Sequence, residues 1–201
     1  MIKCYNINKR WFKVILWMVI KHMNKPKKLK EDFYRDSAVN LAPKLLGKLL
    51  CRKINGEIIK MRITETEAYY GEQDTACHAH KGKTERTKIM YRSGGVVYVY
   101  LCYGIHYMLN IVTGVEGFPE AVLIRGVEGL IGPGRLTKAL KIDKTLNGED
   151  LISSEELWIE DDGYIPNYNT TPRVGINYAT EEYKNIQWRF VVNNSINKPV
   201  V

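Results

Sequence analysis

The dipeptide Asn55-Gly56 constrains the fold of this chain more than any other pair of residues. Asn-Gly between apolar, β-prone segments favours a two-residue turn with positive φ at both central positions, whose twist matches that of antiparallel strands. It commits the residues before it to one strand and residues 58–69 to its partner. Further strand-like segments follow at 96–101, 107–112, 121–125 and 188–192. Residues 102–105 between the first two are short enough for a second hairpin, with Tyr103 at its tip. Residues 31–50 carry helical spacing of Phe33, Val39, Leu41, Leu45, Leu46, Leu49 and Leu50, with Asp36-Ser37 or Asn40 as candidate caps and Pro43 placed in a first turn. Gly132-Pro133-Gly134 precedes a second helical segment at 135–140. Strands joined mainly by hairpins predict an α+β fold: one domain around a mainly antiparallel, curved sheet, with surrounding helices and a protruding β-hairpin.

A chain of 201 residues fits one domain, or one domain with an arm. The formal charge of +8 has the look of a nucleic-acid binder, but nine basic residues and no acidic one lie in residues 1–30, which leaves −1 for the remainder. Contact with a polyanion must therefore come from local patches on the body. Residues 1–30 read as a basic extension and 31–201 as the functional domain. Within the extension, the apolar run at 11–20 is too short to span a bilayer and lacks a following small-x-small cleavage site. Met23 is the expected native start, with residues 1–22 an upstream read-through, in preference to a membrane-surface helix or an ordered arm. Cys4, Cys51, Cys77 and Cys102 form no close-paired framework and no CxxC, which favours a reducing compartment.

The chemistry-bearing stretch is 62–71, followed by Cys77-His78-Ala79-His80. On a strand, Glu65, Glu67 and Tyr69 share one face. That places a carboxylate beside an aromatic plate with imidazoles close by, as chemistry on a flat ring requires; the plainer reading is a solvated acidic edge. Cys77, His78 and His80 lack a fourth partner for a metal, and nothing local specifies a cysteine nucleophile. Gly132-Pro133-Gly134 is a weak phosphate cradle, because the proline removes a donor and no Lys-Ser/Thr follows; a tight turn before a helix accounts for the glycines. Lys81, Lys83, Arg86, Lys88 and Arg92 form the main basic patch of the body, facing either a phosphate backbone or water. Tyr98 and Tyr100 share a strand face, and an aromatic at the tip of a hairpin can serve as a wedge in a base stack. Together these parts suit an enzyme that turns a base out of DNA and holds it between rings.

With these motifs in order, residues 36–201 resemble the 3-methyladenine DNA glycosylases of the alkyladenine (methylpurine) type. The motifs are Leu41-Ala42-Pro43-x-Leu45-Leu46-Gly47; Arg62-Ile63-x-Glu65-Thr66-Glu67-Ala68-Tyr69 with His78; Tyr98-Val99-Tyr100-x-x-Tyr103-Gly104; Asn110-Ile111; Leu123-Ile124-Arg125; Gly132-Pro133-Gly134-x-Leu136; and Arg173-Val174-Gly175. The resemblance implies a monofunctional glycosylase of base excision repair, needing neither metal nor cofactor and leaving an abasic site. It implies that Glu67 activates the attacking water and Arg125 helps hold it. Tyr69, His78, Tyr100 and Asn110 would form the base pocket, Asn110 opposing the amino group of normal guanine, and Tyr103 would be the intercalating wedge. Arg86, Lys88 and Arg92 are candidate DNA-backbone contacts, and Glu65 is read as structural. The implied partner is duplex DNA containing damaged purines, met by a monomer with no membrane and no stable protein partner, cytoplasmic and nucleoid-associated. A silent damage-recognition module and a nucleoside hydrolase are the alternatives.

The sequence departs from the family pattern where Thr87 follows Thr84-Glu85-Arg86 in place of Asn. It departs again at Met90-Tyr91-Arg92-Ser93-Gly94-Gly95, which lacks a stiffening proline. Both departures fall on loop geometry. The chain ends at Pro199-Val200-Val201, in a segment whose backbone carbonyl helps the family hold the attacking water; an early stop there is expected to weaken that water site.

Overall fold

The computed structural model describes residues 25–193; the expectations for residues 1–22 and for Pro199-Val200-Val201 lie outside them. In chain order the strands are β1 (Lys27–Lys28), β2 (Leu49–Ile54), β3 (Glu57–Tyr70), β4 (Val97–Cys102), β5 (His106–Val112), β6 (Glu120–Val127), β7 (Leu130–Ile131), β8 (Leu157–Asp161), β9 (Tyr168–Thr171) and β10 (Arg189–Val192). The helices are α1 (Glu31–Tyr34), α2 (Ala38–Leu45), α3 (Pro133–Ala139) and α4 (Glu181–Asn185). The fold is α+β, a single open sheet whose main path runs β1-β8-β2-β3-β6-β5-β4, with every named pairing antiparallel.

The strand β3 is the spine. Asn55 and Gly56 take φ 53° and 86°, so the β2–β3 turn has the positive angles that its sequence demands. Residues 57–62 of β3 pair with β2. Residues 63–70 then pair with β6, and 65–67 also take β10 on the opposite edge. The ladder to β6 is irregular at this handover. Ile63 faces Val127, Glu65 faces Gly126 and Thr66 faces Ile124, which leaves Thr64 and Arg125 without ladder partners. Bulges of this kind bend a strand and re-aim its side chains.

The two faces of the sheet divide the labour by simple alternation. Val97, Val99, Leu109, Ile111, Val122, Ile124 and Ala68 join the main core with Leu41, Leu45, Leu136 and Leu140 from α2 and α3. Thr66 also points to that side, its hydroxyl donating to the Ala42 carbonyl at 2.9 Å. The intervening residues Tyr98, Tyr100, Asn110, Glu67 and Tyr69 go to the other face. Truncating a fully buried leucine such as Leu41 to alanine would cost about 2–5 kcal/mol, so the helix-covered face supplies the rigidity on which the opposite face is mounted.

The helical expectation for 31–50 is corrected in its bounds. The Asp36 carboxylate accepts the Ser37 N–H, Ser37 caps α2 by accepting from the Asn40 N–H, and Leu49 already belongs to β2. Pro43 lies inside α2 rather than in its first turn. With Ser37, one of the two candidate caps, opening the helix at Ala38, the proline falls near the C-terminal end, where few hydrogen bonds depend on it. A carboxylate from across the sheet, Glu120, accepts the Ala38 N–H at 2.5 Å, supplementing the Ser37 cap.

Candidate active site

The centre of the site is Glu67, whose side chain is fully buried on β3. Its Oε1 accepts the Val174 backbone N–H at 2.7 Å and lies 3.4 Å from the Arg125 Nε; its Oε2 accepts the Tyr69 hydroxyl at 2.8 Å. Burial raises its carboxyl above the ordinary value, while Arg125, the Val174 amide and the Tyr69 hydroxyl oppose the rise. A carboxylate offers about four lone-pair directions. One on Oε2 therefore stays open for a further donor.

Glu65, two residues earlier on the same face, is held differently. Its Oε1 accepts from the Arg125 Nε at 2.8 Å and from the Arg189 Nε at 2.7 Å. Sandwiched between two guanidinium groups, it is an ion-pair strut rather than a free base. The irregular ladder bears on how Arg125 reaches both carboxylates: with no partner opposite it on β3, the residue stands between Ile124 and Gly126, level with the step from Glu65 to Thr66, one position short of Glu67.

The aromatic residues gather beside Glu67. Tyr69, His78, Tyr98, Tyr100, Asn110 and Tyr178 line an inner chamber of about 30 Å³, which opens into a cleft of about 720 Å³. The larger volume is typical of a ligand site, and the smaller holds only water. His78 packs edge-on against Tyr100 with ring centroids 4.4 Å apart, and its Nδ1 lies 3.0 Å from the Tyr98 hydroxyl. Burial, with the nearby Arg86, pushes the His78 pKa down to about 4, so its ring is neutral at physiological pH. Asn110 is buried and donates its amide to the Tyr98 and Met108 carbonyls at 3.1 and 3.3 Å. That leaves its carbonyl end for the chamber.

Tyr103 stands at the β4–β5 turn, 91% exposed, at the rim of the same cleft. Tyr103 and Gly104 both have positive φ, 50° and 69°, and the Ile105 N–H bonds back to the Cys102 carbonyl at 3.0 Å. Glycine accepts the second of these angles at no steric cost. The basic candidates separate. Arg86 reaches the cleft wall, whereas Lys88 pairs with Glu85 at 2.6 Å and Arg92 bonds the Gly148 carbonyl at 3.4 Å, neither lining the cleft. The His80 Nδ1 bonds the Glu72 carbonyl at 2.7 Å and Cys77 is buried, so the sequence cluster 77–80 is not gathered around a common point.

Three contributors were not singled out from sequence. Arg189 clamps Glu65 from β10. Arg173 and Asp74 form a fully buried bidentate pair at 2.6 and 2.9 Å behind Tyr69, and this pair sits next to the Val174 amide that holds Glu67. Tyr178 lines the chamber with its hydroxyl donating to the Ala76 carbonyl at 2.9 Å. Arg173 stood within a recognised motif, but Asp74 lies 99 positions away and no local pattern joins them.

Known proteins resemble this chain over most of its length. The family model described as methylpurine-DNA glycosylase (MPG) matches residues 32–131 and 128–196. A protein of Psychrobacter cryohalolentis named "Putative 3-methyladenine DNA glycosylase" is 48% identical over 177 residues, covering 73% of this chain and 83% of its own. Proteins bearing the same name in Natranaerobius thermophilus and Methanocella arvoryzae are 42% and 40% identical. They cover 84% and 83% of this chain, and 96% and 93% of their own. The match encloses Glu67, Arg125 and every aromatic residue of the cleft, and the chain belongs to the methylpurine-DNA glycosylase family.

Proposed function

We propose that this protein is a monofunctional DNA glycosylase that turns alkylated purines out of duplex DNA and hydrolyses their N-glycosidic bond with water activated by Glu67. The observation that carries this reading is the buried Glu67 carboxylate, hydrogen-bonded by the Val174 amide and the Tyr69 hydroxyl and paired with Arg125, directly behind the Tyr69 wall of an aromatic cleft whose rim bears an exposed tyrosine.

A purine alkylated at N3 or N7 carries a positive charge, so it departs as a neutral base once the C1′–N bond breaks and the bonding pair moves into the ring. Water adds its oxygen to C1′ and gives a proton to Glu67. The negative carboxylate also steadies the positive charge that builds on the sugar. Arg125 aligns Glu67 and helps hold the water. A second carboxylate acting as in ordinary glycosidases is disfavoured, because Glu65 is already occupied by Arg125 and Arg189. Tyr69, His78 and Tyr100 stack on the extruded base, and Asn110 at the chamber wall opposes the amino group of normal guanine. The chamber as it stands is too small for a purine, so base entry displaces lining rings. Tyr103 fills the gap left in the duplex, and Arg86, Lys88 and Arg92 face the backbone phosphates. The enzyme acts as a monomer without metal or cofactor.

The test is release of free methylpurines from alkylated duplex DNA. Activity should leave alkali-labile sites without a strand break, and Glu67→Gln should abolish release while retaining lesion binding. Lesion binding with no release by the wild-type chain would mark a silent recognition module. A larger loss from Glu65→Gln than from Glu67→Gln would reassign the base.

A further inference from the structure

Arg86, so far given only a contact with the phosphate backbone, also reaches into the base pocket. The Arg86 Nη2 lies 3.4 Å from the His78 Nε2, and its guanidinium sits 5.1 Å from the centre of the Tyr100 ring. His78 is thus held at both nitrogens, by Arg86 on one side and the Tyr98 hydroxyl on the other. A guanidinium has five donors and no acceptor capacity. Whatever bonds to it must offer a lone pair.

We propose that Arg86 is a positioning residue that locks His78 as the neutral tautomer protonated on Nδ1. The proposal rests on the glycosylase reading above and adds a residue that sets which charges and donors the pocket presents. With Nε2 committed as acceptor, the single ring proton sits on Nδ1 and is donated to the Tyr98 oxygen. The Tyr98 hydroxyl proton is then turned away from His78, leaving an O–H donor on the chamber wall. A second proton on His78 would have to enter between the ring and a guanidinium, which like-charge repulsion opposes.

The consequence concerns cationic lesions. A purine alkylated at N3 or N7 brings a positive charge into the pocket, and an imidazolium in stacking contact would repel it. A neutral His78 stacks on that ring without adding a second positive charge, in direct contact with it, to that of Arg86. The groups facing His78 are Arg86 from the loop after it, Tyr98 and Tyr100 from β4, and Tyr69 and Tyr178 across the chamber. Among the described residues no carboxylate bonds either ring nitrogen. Arg86 is therefore the one permanently charged neighbour at bonding distance, and it acts against protonation.

The experiment pairs histidine-selective ¹⁵N NMR of the full-length protein with pH profiles of methylpurine release, for wild type, Arg86→Ala and Arg86→Lys. The wild type should show His78 as the Nδ1–H tautomer with no titration from pH 8 to pH 5. Arg86→Ala should bring its titration into the measured range and mix the tautomers. Release by Arg86→Ala should gain a second acid-side loss in addition to the Glu67 limb it shares with wild type, about tenfold for each pH unit below the new His78 value. Arg86→Lys, which restores a cationic donor, should largely remove that loss. A wild-type His78 protonated on Nε2, or titrating near the ordinary 6.5, would overturn the proposal. So would an Arg86→Ala enzyme slowed equally at all pH values with His78 unchanged, the result expected of a phosphate contact alone. The NMR arm reads the tautomer without turnover, so an inactive wild type would count against the glycosylase reading and leave this test standing.

Discussion

Replacing Asp74 by alanine is expected to disable the site from behind without touching the cleft. Asp74 and Arg173 are fully buried, and the carboxylate accepts from the guanidinium at 2.6 and 2.9 Å, from the Ala76 N–H at 3.0 Å and from the Tyr70 N–H at 3.2 Å. Asp74→Ala removes all four bonds and strands a guanidinium whose remaining partners are the Ala68 and Tyr183 carbonyls. Removing one partner of a buried ion pair costs about 3–5 kcal/mol, because the survivor is left charged and uncompensated. For a chain of this length that is roughly 6–20 °C in Tm at about 2–4 °C per kcal/mol. Arg173 precedes Val174, whose N–H fixes Glu67 at 2.7 Å. The variant should thus lose methylpurine release even at temperatures where it is fully folded. Urea denaturation and single-turnover base release, both at 15 °C, separate the two effects. A stability loss under about 1 kcal/mol would refute the buried-pair reasoning, and unaltered release by folded protein would refute the link through Val174.

Other perturbations test other parts of the argument. Because burial raises the Glu67 carboxyl above its unfolded value, its contribution to stability is present at low pH and is lost as pH rises through the folded value. Glu67→Gln should therefore be more stable than wild type at neutral pH in urea titrations, the difference closing as pH falls toward the ordinary glutamate value of about 4.3. The acid limb of wild-type release should lie above that value as well. Tyr103→Ala should change stability by no more than about 0.5 kcal/mol, since the side chain is 91% exposed, yet lower excision from duplex DNA far more than from single strands. At Gly94 a Cβ would overlap the Tyr34 carbonyl oxygen, backbone that cannot easily yield, so Gly94→Ala should cost about 3 kcal/mol by thermal denaturation.

Much of this site was legible because strand chemistry is local. The period of two on β3 places Glu65, Glu67 and Tyr69 on one face from sequence alone, and the structure keeps them there despite the bulge. The same period on β4 sends Tyr98 and Tyr100 to the cleft and Val97 and Val99 to the core. Less legible were β8 and β9. The short run Leu157-Trp158-Ile159 is closed by acidic residues, and 168–171 is polar; their strand state comes from pairing with β2 and β10. The basic patch read as one unit divided once folded, Lys88 going to Glu85 and Arg92 to Gly148 while Arg86 turned to the pocket.

The sequence by itself determined the hairpin at Asn55-Gly56, the face on which the carboxylates stand and the exposed Tyr103 turn, because each depends on the steric preferences of a few consecutive residues. What only the tertiary structure decided is how the two glutamates differ. Glu65 and Glu67 have the same side chain, strand and face, but Glu65 is hydrogen-bonded by two guanidinium groups, Arg125 and Arg189, whereas Glu67 is hydrogen-bonded by a backbone amide and a tyrosine, with Arg125 farther off at 3.4 Å. Those partners arrive from β6, β10 and the loop after β9, up to 124 positions away. Ionisation and reactivity follow from partners brought together through space, and a local sequence pattern carries no record of them.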